Sequence, residues 1–419
     1  MAPLEPWEKV LVDAEAFLNT THGQIECGAC HFGQNSEDKD TSHTGLVADP
    51  SLDVEQMCGA CHTGEAAHYP DSLHATLAGY WTKLEARSVP ENHAALETMF
   101  GNHCAGCHTS CGECHVSQPQ NVGGGLFNGH VFERTPPMTR SCTACHGSRV
   151  GSEYLGKHEE IPGDVHFREG RMNCVACHEG KDLHSAPVRV ATEDQHRYAG
   201  AQLPGCQSCH TGVVSDQNAM HQQHSQNLSC QVCHSVTYTS CDGCHVAISE
   251  TSGNPYFETE ATYLTFFIGR NPLQSEERPY EYVPVRHIPA AVNGYAYYGE
   301  DLLPNFNALP TWVYATPHNI QLHTPQNASC EACHGNPDLF LTADKVDPAE
   351  LEANQSVIVA APAPSLDAIL NAPALPADHD GRTTCLACHK TGSGGAKLVP
   401  EDHTGRDDSG CTSCHRPQD

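Results

Sequence analysis

A chain of 419 residues with 51 acidic against 22 basic side chains carries a formal net charge of −29, which argues against nucleic acid and anionic membrane surfaces as partners. Apolar residues are 38% and aromatics 6% of the chain, a lean supply for one large core, and no stretch approaches the ~18–20 apolar residues of a membrane span. The acidity suits basic partners, metal cations or plain solubility, while Gly 35 and Pro 28 predict a loop-rich wrapper with short helices.

The first twenty residues hold neither the basic nor the apolar region of a signal peptide. From there the 24 cysteines fall into twelve copies of C-x-x-C-H with none left over. Nine copies lie within residues 1–245: Cys27 and Cys30 with His31, Cys58 and Cys61 with His62, Cys104 and Cys107 with His108, Cys111 and Cys114 with His115. Then come Cys142 and Cys145 with His146, Cys174 and Cys177 with His178, Cys206 and Cys209 with His210, Cys230 and Cys233 with His234, and Cys241 and Cys244 with His245. C-x-x-C-H is the attachment site of haem c: the thiols form thioethers to the porphyrin vinyls and the adjacent histidine reaches the iron. Disulfides require no histidine after each pair, and zinc ribbons none at a fixed following position.

Twelve haems c over 419 residues leave about 35 residues for each, against roughly 100–150 for an ordinary domain. The porphyrins must therefore supply the missing apolar surface. The predicted fold is mostly coil with short α-helices wrapped around a stacked haem array, and the haem-free chain should not fold. His108 and Cys111 stand three residues apart, so their Cα atoms are at most about 11 Å apart and their two haems must abut. A repeat links Ser110–Val116 (SCGECHV) to Ser240–Val246 (SCDGCHV). Haem c is attached outside the cytoplasm, so the expected location is periplasmic or extracellular, reached by a signal peptide absent from this chain.

Residues 246–329 form a cysteine-free lobe with eight of the thirteen tyrosines. Its segments Ala261–Ile268, Tyr280–Ile288 and Tyr295–Tyr298 are rich in β-branched and aromatic residues and predict short strands that cover the haem stack on one side. One motif follows within 330–356, Cys330 and Cys333 with His334. Residues 357–377 are Ala/Pro-rich and read as a semi-rigid linker or an arm over a neighbour. The last segment, 378–419, is a two-haem module: Cys385 and Cys388 with His389, Cys411 and Cys414 with His415. A repeat precedes each pair, Asp378-His379-Asp380-Gly381-Arg382 and Asp402-His403-Thr404-Gly405-Arg406.

Thirty histidines less the twelve in motifs leave eighteen for twelve sixth coordination positions. His22, His43, His93, His130, His166, His379 and His403 sit shortly upstream of a motif, where a connector can reach a neighbouring iron. His184 follows His178 closely, and His287 stands in an apolar strand-like run; both are expected ligands. Each of the pairs His68/His74, His221/His224 and His318/His323 should supply at least one ligand, assigned to His74, His224 and His318. His103 abuts Cys104 and has little freedom; His158 and His196 lie in polar loops and suit solvent equally. Met57, Met99, Met138, Met172 and Met220 read as gap-fillers rather than as the methionine ligands that raise haem potentials.

Together these features resemble the multihaem c-type cytochromes of bacterial and archaeal respiratory electron transfer, here with twelve haems. The resemblance is greatest to periplasmic decahaem conduits and to filament-forming extracellular cytochromes of metal-reducing organisms. It implies closely packed bis-histidine haems that carry electrons with no catalytic residue. The partners it implies are redox proteins or extracellular acceptors such as metal oxides, with self-association into filaments. The alternative is a multihaem oxidoreductase acting on nitrite, hydroxylamine or tetrathionate through one open or lysine-ligated haem. No pair here is C-x-x-C-K, but a single missing sixth ligand would serve that alternative. The denatured chain is expected to show the mass of twelve covalent haems; saturation at eleven or fewer, or free thiols, would contradict the motif reading.

Overall fold

The computed structural model describes residues 4–105, 109–157, 160–184, 204–213, 218–239, 242–260, 266–276, 278–376, 379, 382–400, 403, 408, 411 and 415. Short helical turns, coil and two small antiparallel sheets make up these residues, compatible with a multihaem cytochrome. The chain forms two units: Met1–Thr211 with Thr239–Tyr263 and Pro289–Ala308, and Gly212–Tyr238 with Leu264–Ile288 and Leu309–Asp419. The cysteine-free stretch expected as one lobe at 246–329 is thus divided between them, because its strands pair in two separate sheets.

In the first unit the longest helices are α1 (Ala78–Arg87) and α2 (His93–His103). α2 buries Leu96 and Met99 completely. The buried Arg87 at the end of α1 donates from Nε to Phe306 O at 3.0 Å, and its guanidinium lies 5.5 Å from the Phe306 ring centroid. Next to it, the Ser88 hydroxyl donates to Leu302 O at 2.7 Å and Asn305 Nδ2 donates to Ser88 O at 3.0 Å. Partnering of these buried polar groups removes the cost of their desolvation and ties residues 302–306 to α1. A hairpin, β1 (Asp242–Ile248) with β2 (Pro255–Glu260), completes the unit's regular structure, with His245 opposite Glu258.

Most motifs close one helical turn. The histidine N–H donates to the carbonyl of the first cysteine at 2.8 Å in Cys58–His62 and Cys330–His334, 2.9 Å in Cys174–His178 and Cys206–His210, and 3.0 Å in Cys385–His389. Such a turn puts cysteines three apart on one face and the histidine one residue further, the spacing that one porphyrin requires. The Cys241–His245 motif differs. Its last four residues lie in β1, where the register shifts between Asp242 and Cys244 and Gly243 has φ +68°.

The second unit has a side-chain core. Strands β3 (Phe267–Arg270), β4 (Tyr282–His287) and β5 (Trp312–Tyr314) form an antiparallel sheet in that order. Val283 and Val285 on β4 are fully buried, as are Leu341 and Val357. The segment Val357–Val359 is part of this core: Arg270 N–H donates to Val357 O and Val359 N–H to Leu341 O, each at 2.8 Å. These three residues are therefore core and not the start of a linker, since their β-branched side chains fill the sheet face. The Ala/Pro arm begins beyond them and crosses the Cys330 motif, with Gly335 N–H donating to Ala363 O at 3.1 Å.

The expected strand at Tyr280–Ile288 corresponds to β4. Of Ala261–Ile268, residues 266–268 are described and enter β3, and 261–265 lie outside the described residues. Tyr295–Tyr298 is a turn, closed by Tyr298 N–H to Tyr295 O at 2.9 Å. Its aromatics serve side-chain contacts to α2 rather than a ladder: the Tyr298 hydroxyl meets His103 Nε2 at 2.7 Å. Leu341→Ala is expected to cost the haem-loaded protein about 2–5 kcal/mol in denaturant unfolding, and a negligible change would contradict the packing of this core.

Candidate haem-binding site

The described residues bring histidines together in a recurring arrangement. In the first unit, ring centroids are 5.8 Å apart for His31 and His130, 6.1 Å for His62 and His22, 6.2 Å for His146 and His74, 6.0 Å for His115 and His184, and 6.1 Å for His210 and His166. In the second unit, the distances are 6.2 Å for His234 and His221, 6.0 Å for His334 and His224, 6.1 Å for His389 and His379, and 6.2 Å for His415 and His403. Every pair joins one motif histidine to one from outside the motifs. Imidazoles in direct stacking contact sit closer than this. Two metal–nitrogen bonds of about 2.0–2.1 Å plus two ring radii of roughly 1 Å put the centroids of an axial imidazole pair about 6 Å apart. The donor set therefore fits an iron between two imidazoles, with two thiols beside each motif histidine for the thioethers.

Hydrogen bonds set the ring nitrogens to this task. Nδ1 faces a backbone carbonyl in His31 (Val47 O, 2.8 Å), His115 (Glu133 O, 2.7 Å), His234 (Gln321 O, 3.1 Å) and His334 (Pro364 O, 3.0 Å). The same holds for His389 (Lys397 O, 2.7 Å), His415 (Pro373 O, 2.7 Å) and the non-motif His224 (Met220 O, 2.9 Å). A carbonyl only accepts, so each Nδ1 carries the proton and each Nε2 keeps its lone pair for a metal. Burial pushes His22, His74, His130 and His184 below the ordinary histidine value, and the facing His62, His146, His31 and His115 push the same way. An imidazole held neutral stays a ligand.

Neighbouring attachment turns touch. The thiols of Cys58 and Cys111 lie close together, as do those of Cys142 and Cys174. The Ser51 hydroxyl donates to Ser110 Oγ at 2.7 Å, joining the loop before Cys58 to the start of the Cys111 turn. Cys114 lies beside Ser141, which precedes Cys142. The Phe132 ring lies 4.1 Å from His22 and 5.7 Å from His130, linking the pairs that serve Cys58 and Cys27. In the second unit, Cys233 lies close to Cys333.

Eight of the twelve expected non-motif ligands, His22, His74, His130, His166, His184, His224, His379 and His403, stand in these pairs. His221 does as well, and sequence reasoning chose only its neighbour His224. The signal was present: three residues apart on the helix Ala219–His224, both rings project from one side and serve two different motifs. His287 is placed elsewhere. Its Nε2 lies 2.9 Å from Glu350 Oε2, which also accepts from Thr311 Oγ1 at 2.6 Å, and its ring packs on Trp312. The apolar strand that carries His287 faces a carboxylate instead of a motif histidine. His93 has a buried Nε2 with no hydrogen-bond partner. His318 and His43 hold their Nδ1 on Thr316 O at 2.8 Å and Lys39 O at 2.6 Å. His103 meets Tyr298, and His68 and His323 are exposed. Cys107, His108, Cys241, Cys414, His158 and His196 lie outside the described residues.

Residues 367–416, which carry the last two motifs, match the family model described as cytochrome c554 and c-prime. Together with the C-x-x-C-H motifs, this match supports a c-type cytochrome. No curated protein and no solved structure matches it. Within the matched segment the cytochrome places His379 against His389 and His403 against His415, so each repeat histidine pairs with the motif that follows it.

Replacing His184 by alanine is expected to turn one low-spin haem of the loaded cytochrome high-spin by electron paramagnetic resonance. His287→Ala should leave every haem's spin state unchanged while lowering stability, because Glu350 loses one of its partners and Trp312 loses the ring packed on it. The reverse pattern would show that the ring pairs are not axial pairs.

Proposed function

We propose that this cytochrome carries electrons along twelve covalently bound haems c, most held between two histidines, in respiratory or extracellular electron transfer. The observation that carries the reading is the set of nine facing histidine pairs, each joining a motif histidine to one from outside the motifs. Haem c supplies a one-electron iron couple. The chain's part is to hold that iron unchanged in coordination through each transfer. Two imidazoles on fixed carbonyl partners do this, and they leave no position for a substrate. The contacts between attachment turns, Cys58 with Cys111 and Cys142 with Cys174, support short steps between neighbouring haems. We further propose a periplasmic or extracellular site of action, redox proteins or metal oxides as partners, and assembly into filaments as a subunit.

A second reading, oxidoreduction of nitrite, hydroxylamine or tetrathionate, is favoured by one observation. His245 has its Nε2 3.9 Å from Glu258 Oε2 and lines a small cavity with Gly243, Val246, Ala291 and Asn293. Among the described residues, no histidine ring faces it. The loaded cytochrome should reduce soluble ferric chelates rapidly and turn over nitrite, hydroxylamine and tetrathionate only slowly. Turnover of one of them near the enzyme median of about 10 per second, lost on Glu258→Gln, would favour the second reading.

A further inference from the structure

Seven of the paired histidines rest their Nδ1 on a neutral backbone carbonyl. His166 does not. Its Nδ1 lies 2.9 Å from Oδ1 of Asp164, and the same oxygen accepts the His166 backbone N–H at 2.7 Å. Asp164 is only 2% exposed. The carboxylate is therefore locked onto the ring by two hydrogen bonds from one residue, out of water, where its charge is weakly screened.

We propose that Asp164 is a positioning residue that lowers the reduction potential of the haem carried by Cys206–His210. This rests on the reading of His166 and His210 as an axial pair. A carboxylate that accepts the Nδ1 proton makes the imidazole a stronger donor, and a stronger donor stabilises ferric over ferrous iron. The nearby negative charge acts in the same direction. A carbonyl partner supplies neither effect in full, so this haem holds its electron less tightly than haems whose histidines rest on carbonyls. Cys177 lies close to Cys206 and Cys209 and also to Asp164, so the Cys174 motif neighbours both this haem and the carboxylate; the hydrogen bond to His166 is what singles out the Cys206–His210 haem.

The test is a spectroelectrochemical titration of the haem-loaded cytochrome beside its Asp164→Asn and Asp164→Glu variants. Asparagine caps the helix Val165–Arg168 as aspartate does, so it removes the charge while keeping the local fold. The expected result in Asp164→Asn is an upward shift that is largest in one component, one-twelfth of the total amplitude. Asp164→Glu should keep that component low, and all haems should stay low-spin. Superimposable titrations of wild type and Asp164→Asn, or a shift spread over every component, would overturn the proposal. His166→Ala separates this failure from failure of the axial pairing: one haem turning high-spin upholds the pairing, and no change in spin state overturns pairing and proposal together.

Discussion

The structure depends on one constraint: pairs of imidazoles are held about 6 Å apart, a spacing that one metal ion between them would fill. His74 meets His146 and His224 meets His334 in this way. Each pair ties a connector to a motif turn, so the chain cannot run as a series of independent modules. It doubles back to close the long-range pairs, such as His31 with His130, while His379 and His403 pair with the next motif along the chain. A polypeptide this poor in aromatics and this rich in glycine and proline suits such a course, because long helices would not reach between pairs. Side-chain cores are correspondingly local, such as the sheet core around Val283, Val285, Leu341 and Val357.

The backbone serves the same constraint a second time. Carbonyls of loops lying far from the motifs, Val47, Glu133, Gln321, Pro364 and Pro373, orient the ring nitrogens of His31, His115, His234, His334 and His415. A loop-rich fold leaves many carbonyls outside regular ladders. That property, which weakens a conventional core, lets the chain fix the tautomers of its histidines cheaply. His166 meets a carboxylate instead, which makes its environment electrostatically unlike those of the seven paired histidines that rest on carbonyls.

Much of this was legible in the sequence, because the C-x-x-C-H spacing and the one-turn geometry it needs are local. His379 and His403 stand beside the motif that follows each, within reach of a short connector, whereas His22, His130 and His166 face motifs more distant in the chain. The rest depends on distant partners. Nothing near His287 announces Glu350, and an apolar strand carries a histidine to a carboxylate as readily as to an iron. Val357–Val359 read as the start of an Ala/Pro arm because their burial comes from strands β3 and β4 far earlier in the chain. His221 was passed over because the reading asked for one ligand from a pair in which both rings find a motif. The strands β1 and β2 escaped notice since their residues straddle a haem motif whose usual form is a helical turn.

The central claim is that the ring pairs are axial pairs, and anomalous diffraction at the iron absorption edge tests it most directly. Crystals of the haem-loaded cytochrome should give an iron peak midway between the two rings of each pair, His115 with His184 and His221 with His234 among them. Iron peaks displaced from these midpoints, or pairs with no iron between them, would contradict the account.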